Sequence, residues 1–239
     1  MSEIKLIHGD CLAEMAKIPD KSIDMVLCDL PYGTTACKWD VVIPFDKLWE
    51  QYRRIVKDNG AIVLFGSEPF SSMMRMSNLK MYKYDWIWEK SKATGYLNAK
   101  KRPLCAFENI MVFYKQPPTY NPQFKMGRPY NKGTALRLTD VYGSQVAREV
   151  KSEGLRYPRS VMYFKTAEAE GKVYHPTQKP VTLLEYLIKT YSNEGDTILD
   201  NTMGSGSTMV ACANTNRNGI GIELDDKYFM IAKQRLNYE

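Results

Sequence analysis

Asp29, Leu30, Pro31 and Tyr32 bring a carboxylate, a backbone carbonyl and an aromatic face together within four residues. The apolar run Ile23-Asp24-Met25-Val26-Leu27-Cys28 precedes them and Gly33 follows, so the carboxylate stands at the end of a predicted strand. Proline fixes its own φ and disfavours helix at Leu30, which holds the Leu30 carbonyl outside any helical ladder. A small polar group with protons to donate and a lone pair to direct fits this surround, and an exocyclic amine is such a group.

A second set of residues suits a nucleotide or nucleoside. Asp196-Thr197-Ile198-Leu199-Asp200 reads as a strand, Asn201-Thr202-Met203-Gly204-Ser205-Gly206-Ser207-Thr208 as a turn, and Met209 to about Asn214 as a small-residue helix. Gly219-Ile220-Gly221-Ile222-Glu223 is the next strand, and Glu223 lies 23 residues after Asp200. In such a βαβ layout glycines let the backbone approach a ligand, and the acid at the second strand end can accept from ribose hydroxyls. Gly204 and Gly206 are not followed by the third glycine of a dinucleotide fingerprint.

Both strand ends need a sheet to position them. Ile4 to Ile7 predicts a short strand, and His8-Gly9-Asp10-Cys11 turns from it into the amphipathic stretch Leu12 to Ile18. Phe45, Leu48, Trp49, Tyr52, Ile55 and Val56 repeat at helical spacing between Pro44 and Gly60. Strands are predicted at 61–65, 84–89 and 109–114, and helices at 68–77 and from Leu184 to Tyr191. The alternation implies a largely parallel α/β sheet. The polar loop from Gly33 to Asp40 is placed to act as a lid.

From Gln116 to Gly171 the periodicity fails, and prolines, glycines and aromatics interleave with basic residues. Residues 115–172 carry 11 Lys and Arg against 5 Asp and Glu, whereas the rest of the chain balances at 22 against 22. The net charge of +6 is therefore confined to one segment, as a polyanion-facing surface requires.

These residues resemble the β group of DNA amino-methyltransferases. The family's Asp/Asn/Ser-Pro-Pro-Tyr motif is matched by the tetrad, with Leu30 in place of the commoner proline. Its Asp-Pro-Phe-x-Gly-Ser-Gly-Thr-Thr motif is matched at Asp200, Gly204, Ser205, Gly206 and Thr208, with Asn201 and Thr202 replacing proline and phenylalanine. The segment His175-Pro176-Thr177-Gln178-Lys179-Pro180 resembles the motif just before the cofactor loop. The resemblance implies a Rossmann-like S-adenosylmethionine-dependent methyltransferase with a mainly parallel seven-stranded sheet and circularly permuted motif order. A catalytic half (1–114), a target-recognition insertion (115–172) and a cofactor-binding half (173–239) are then expected.

The implied reaction is direct in-line transfer to an amine of a base flipped out of duplex DNA. Tyr32 would stack on that base, while Asp29 and the Leu30 carbonyl would accept its amine protons. Cofactor contacts are expected from Asp10, Cys11, Asp29, His175, Lys179, Asp200, Thr202, Gly204, Gly206, Thr208 and Glu223, with Lys179 either facing the cofactor carboxylate or lying on the surface beside Pro180. Asp10 is equally suited to capping the following helix. DNA contacts are expected from Trp39, from Lys100, Lys101 and Arg102, and from Lys125, Arg128, Lys132, Arg137, Arg156 and Arg159.

Asp29 favours adenine N6, because cytosine-N4 enzymes more often resemble Ser-Pro-Pro-Tyr. Cytosine N4, RNA methylation and a non-catalytic DNA-binding role remain the alternatives. Cytosine-C5 chemistry would need a nucleophilic cysteine, typically after proline, and none of the five cysteines follows one. Those cysteines form no C-x-x-C pair and only two histidines are present, which argues against a disulfide framework or structural zinc. No apolar run has membrane-spanning length and the N-terminus lacks signal-peptide character, so a cytoplasmic protein is expected. The family resemblance admits a homodimer and leaves open a restriction endonuclease partner.

Overall fold

The alternation of strands and helices builds one eight-stranded sheet in the computed structural model, which describes residues 2–35, 37, 40–135, 138–139, 143–144 and 148–238. In chain order the elements are β1 (Ile4–His8), α1 (Cys11–Met15), β2 (Ile23–Cys28), α2 (Phe45–Ile55), β3 (Val56–Gly66), α3 (Phe70–Ser77), β4 (Tyr82–Thr94) and β5 (Cys105–Phe113). They continue with β6 (Val161–Phe164), α4 (Val181–Tyr191), β7 (Thr197–Asp200), α5 (Ser207–Asn214), β8 (Asn218–Glu223) and α6 (Asp226–Arg235). The sheet order is β1-β8-β7-β2-β3-β5-β4-β6, and β5 alone runs against its neighbours.

Alternating side chains send the strands into two cores. Met25 and Leu27 of β2 pack with α4, α5 and α6, whereas Val26 and Cys28 pack with α1, α2 and α3. Helix α2 buries Leu48, Trp49, Tyr52 and Ile55 along one face, as their spacing predicts. At the opposite core, Tyr191 closes α4 and its hydroxyl accepts from the indole of Trp86 at 2.6 Å.

The start of β3 and the strand count differ from the sequence expectation, and β4 and β5 run longer than the expected 84–89 and 109–114. Strand β3 begins at Val56, directly after α2, and Gly60 lies inside it instead of ending the helix. The β2 partners step from Ile23↔Val56 to Met25↔Ala61, so the extra residues form a bulge. A Cβ on Gly60 would lie 2.6 Å from Val56 Cγ1 and 2.8 Å from the Asp24 carbonyl, which explains the glycine. The sheet also has eight strands instead of the expected seven. Its edge strand β6 comes from the segment whose periodicity fails, and four residues with only Met162 buried are too few to show a period.

Two compact units are present: residues up to Asn121 together with those from Ser160 on, and Pro122–Arg159. The smaller unit is a narrowing antiparallel hairpin. Lys125–Met126 pairs with Leu155–Arg156, Tyr130–Ala135 with Arg148–Ser152, and Leu138–Thr139 with Gly143–Ser144. Within it the Arg156 guanidinium lies 4.6 Å from the Tyr130 ring centre and donates to Ser152 Oγ and the Arg128 carbonyl. Among the described residues no helix is long and apolar enough to cross a membrane.

Candidate active site

Strands β2 and β7 are hydrogen-bonded neighbours, and the chain leaves them in opposite directions, towards β3 and towards β8. Their carboxyl ends therefore meet at a topological switch point, where open α/β sheets take ligands. A cavity of about 410 Å³ opens there, bounded by the tetrad, by Asp10 and Cys11, by residues 200–205 and by Glu223. That volume suits a small organic ligand.

The tetrad is held from several sides. Leu30 is buried in the core beneath α1, α2 and α3, so this position anchors the turn through its side chain. Tyr32 stacks on Phe70 with ring centres 4.8 Å apart and donates its hydroxyl to Asp29 Oδ1 at 2.5 Å. Asp29 Oδ2 accepts from Lys179 Nζ, which also stands 3.4 Å from Glu108 Oε2. Burial pushes the Asp29 carboxyl above the usual aspartate range, and Lys179 opposes that push.

Behind the tetrad, Asp40 takes part in shaping the wall. Its carboxylate accepts from the backbone N–H groups of Gly33, Thr34 and Thr35 at 2.8, 2.9 and 2.7 Å. Burial pushes against ionisation, but the bonds from Thr35, Gly33 and Thr34 win and hold Asp40 below the usual range. The start of the expected lid is thus tied to its end. Trp39, assigned to this loop, lies outside the described residues.

On the other strand, Asp200 is buried, and that burial lifts its carboxyl to about 6 against the bonds it receives from Thr208, Cys28 and the Thr202 N–H. Thr202 joins the two halves of the site: its hydroxyl donates to the Asp29 carbonyl at 3.1 Å and lies 3.0 Å from Cys28 Sγ. Tyr52 donates to Asn201 Oδ1 at 2.6 Å, while Asn201 Nδ2 is buried without a hydrogen-bond partner. Gly204 (φ +53°) and Gly206 (φ +79°) give the turn left-handed positions that glycine accepts without strain. Arg235 steadies the turn by donating to the Ser205 carbonyl at 2.7 Å.

Glu223 lines the cavity and accepts from Gly204 N and Asp225 N, both at 2.8 Å. Asn201 Nδ2, the Glu223 carboxylate and the backbone of Gly204 line the cavity as a donor and acceptor set that fits the nucleoside part of S-adenosylmethionine. Gly206, expected among the cofactor contacts, is instead buried against Ala232 of α6 and does not line the cavity.

The remaining expected residues are distributed as follows. Asp10 caps α1 by accepting from Ala13 N at 3.0 Å and also lines the cavity. Cys11 is buried in the same wall, and burial pushes its thiol up to about 11. His175 lines the cavity with its ring 4.1 Å from that of Tyr228, and burial, aided by Lys179, lowers it to about 4. Thr208 reaches the cavity at the start of α5.

Lys179 lines the cavity with its ammonium turned to two carboxylates of the protein, Asp29 and Glu108. Lys100, Lys101 and Arg102 lie in the connection from β4 to β5, which leaves the sheet at the carboxyl end of β4, the same end at which Asp29 follows β2. Lys125, Arg128, Lys132, Arg156 and Arg159 belong to the smaller unit, where Arg156 is committed to internal contacts. Arg137 lies outside the described residues. Sequence reasoning missed Glu108, Tyr52 and Arg235. An acid set between Phe107 and the apolar end of β5 was the available signal for Glu108.

A model of the N6_N4_Mtase family, described as DNA methylase, matches residues 23–234. The chain belongs to this DNA methylase family. The DNA methylase is 30% identical to the DNA adenine methyltransferase YhdJ of Escherichia coli (strain K12) over 97% of this chain and 82% of the relative. It is 29% identical to the type II methyltransferase M.HpaI of Haemophilus parainfluenzae over 98% of this chain and 74% of that one.

Among solved structures, it is similar to M1.HpyAVI in its SAM complex, with a TM-score of 0.67, 26% identity and coverage of 98% and 99% of the two chains. The cytosine-N4-specific PvuII DNA methyltransferase shares the fold with a TM-score of 0.69 at 15% identity, over 98% of this chain and 86% of that one. The Rossmann-like architecture of the DNA methylase is thus that of S-adenosylmethionine-dependent methyltransferases, with the tetrad strand preceding the cofactor strand.

Proposed function

We propose that this DNA methylase moves the methyl group of S-adenosylmethionine to N6 of an adenine flipped out of duplex DNA. The observation that carries the reading is the meeting of Asp29 with the turn after Asp200 in one cavity at the switch point. Asp200, Asn201, Gly204 and Glu223 would hold the cofactor. When bound, it supplies an electrophilic methyl group on a sulfonium centre.

The protein's part is positioning and electrostatics. Asp29 and the Leu30 carbonyl accept the two amine protons and so direct the nitrogen lone pair. Tyr32, backed by Phe70, offers its outer face to the base. Positive charge that develops on the nitrogen is met by the Asp29 carboxylate, which receives the proton then released. Adenine is preferred to cytosine because the first tetrad position is Asp29 and because the relative YhdJ is named a DNA adenine methyltransferase.

Asp29→Ala tests the assignment. Incorporation of labelled methyl into DNA is expected to fall by roughly 100-fold or more, and a calorimetric titration with S-adenosylmethionine measures separately any loss of the cofactor contact expected of Asp29. Full turnover of the variant would overturn the role of Asp29.

A further inference from the structure

Lys179 enters the cavity wall from the segment before α4 and is 8% exposed. Its ammonium pairs with Asp29 Oδ2 and stands 3.4 Å from Glu108 Oε2. On its other oxygen, Glu108 receives Lys90 Nζ at 3.2 Å, whereas Glu108 Oε2 makes no hydrogen bond. Two carboxylates and two ammoniums thus balance inside the protein, with Lys179 between the carboxylate of the tetrad and a carboxylate of β5.

Asp29 is held at both oxygens, by the Tyr32 hydroxyl at Oδ1 and by Lys179 at Oδ2. The other titratable groups facing it are Cys28, Asp200 and Glu108. Burial pushes the Cys28 thiol and the Tyr32 phenol up, so both are neutral at ordinary pH. Among the described residues, the cation in contact with Asp29 is Lys179.

We propose that Lys179, itself held by Glu108, is a positioning residue that fixes the charge and orientation of Asp29. The inference rests on the reading of Asp29 as the acceptor for the target amine. After transfer, a proton leaves the methylated nitrogen, the N–H electron pair stays on nitrogen, and an O–H bond forms on Asp29. Lys179 then still has Glu108 as counter-ion. Neutralising Asp29 therefore leaves no ammonium buried without a counter-ion.

The test is the pH profile of kcat for the wild type, Lys179→Met and Glu108→Gln, with unmethylated duplex DNA and S-adenosylmethionine both saturating. Losing the ammonium makes ionisation of Asp29 harder, so the acid limb of Lys179→Met is expected about 1–3 pH units higher. Removing the like charge at Glu108 moves the limb of that variant in the opposite direction. Structural damage alone would lower both profiles without moving the limbs apart.

Unmoved limbs in both variants would overturn the proposal. So would a Lys179→Met variant whose KM for S-adenosylmethionine rises with its limb in place, which would return Lys179 to the cofactor carboxylate. If thermal melts show that Lys179→Met does not fold, the direction of the Glu108→Gln limb decides. A wild type that methylates no DNA would remove the underlying reading and this proposal with it, whereas methylation with unmoved limbs would remove this proposal alone.

Discussion

Asp200 carries a consequence that the sequence alone could not reveal. At 4% exposure it is lifted to about 6 by burial, against a bond from Thr208 and others. A carboxyl raised in the folded state favours the fold fully below its unfolded value, near pH 4, and that contribution is lost as pH rises through about 6. The loss is on the order of 3 kcal/mol. Asp200→Asn removes the titration, so the melting temperature of the variant should gain on the wild type between pH 4 and 7. Parallel curves would contradict the burial argument. Asp29, Tyr32, Asp200 and Glu223 were legible as chemistry because residue type and strand-end position announce them. The Lys179–Glu108 pairing was not, since it depends on where β5 sits relative to a segment about seventy residues later. Thr202 was read as a departure from the family motif and as a cofactor contact, and the fold adds its bond to the Asp29 carbonyl, which neither reading contained.

Among the elements, helices α2 and α4 and the two site strands were readable because each keeps one period long enough to recognise. Strand β3 was misread at its start because Gly60 resembles a helix stop, whereas it serves a bulge against β2. Gly60→Ala should therefore cost about 1–3 kcal/mol, measured by urea unfolding, since Asp24 contributes backbone that cannot move aside. The site lies at the far end of that strand, so kcat per folded molecule should not change. An unchanged unfolding midpoint would show that the bulge has room for a side chain. Strand β6 escaped recognition for another reason: it is short and edge-bound, and its pairing with β4 is a long-range event. The start of the Gly33 to Asp40 loop acquires its shape from a single carboxylate that binds three successive N–H groups, a bond pattern no periodicity reports.

For the whole molecule, charge segregation and motif order were the informative quantities. The excess of +6 between residues 115 and 172 spans the separate hairpin unit of Pro122–Arg159 and the edge strand β6. Not all of that charge faces outward, since Arg156 is folded onto Tyr130 and Ser152. Cations of this kind are indistinguishable in sequence from those left for phosphate, because stacking and burial are tertiary properties. The β2-before-β7 order, read from the motifs, brings the Asp29 carboxylate and the glycine turn after Asp200 to adjacent strands, and the central claim rests on that adjacency. Its most direct test is transfer of labelled methyl from S-adenosylmethionine to unmethylated bacterial duplex DNA, followed by nucleoside analysis of the digest. The account predicts label in N6-methyladenine. Label in N4-methylcytosine would contradict the assigned base, and no incorporation by a protein that still binds the cofactor would contradict the assigned reaction.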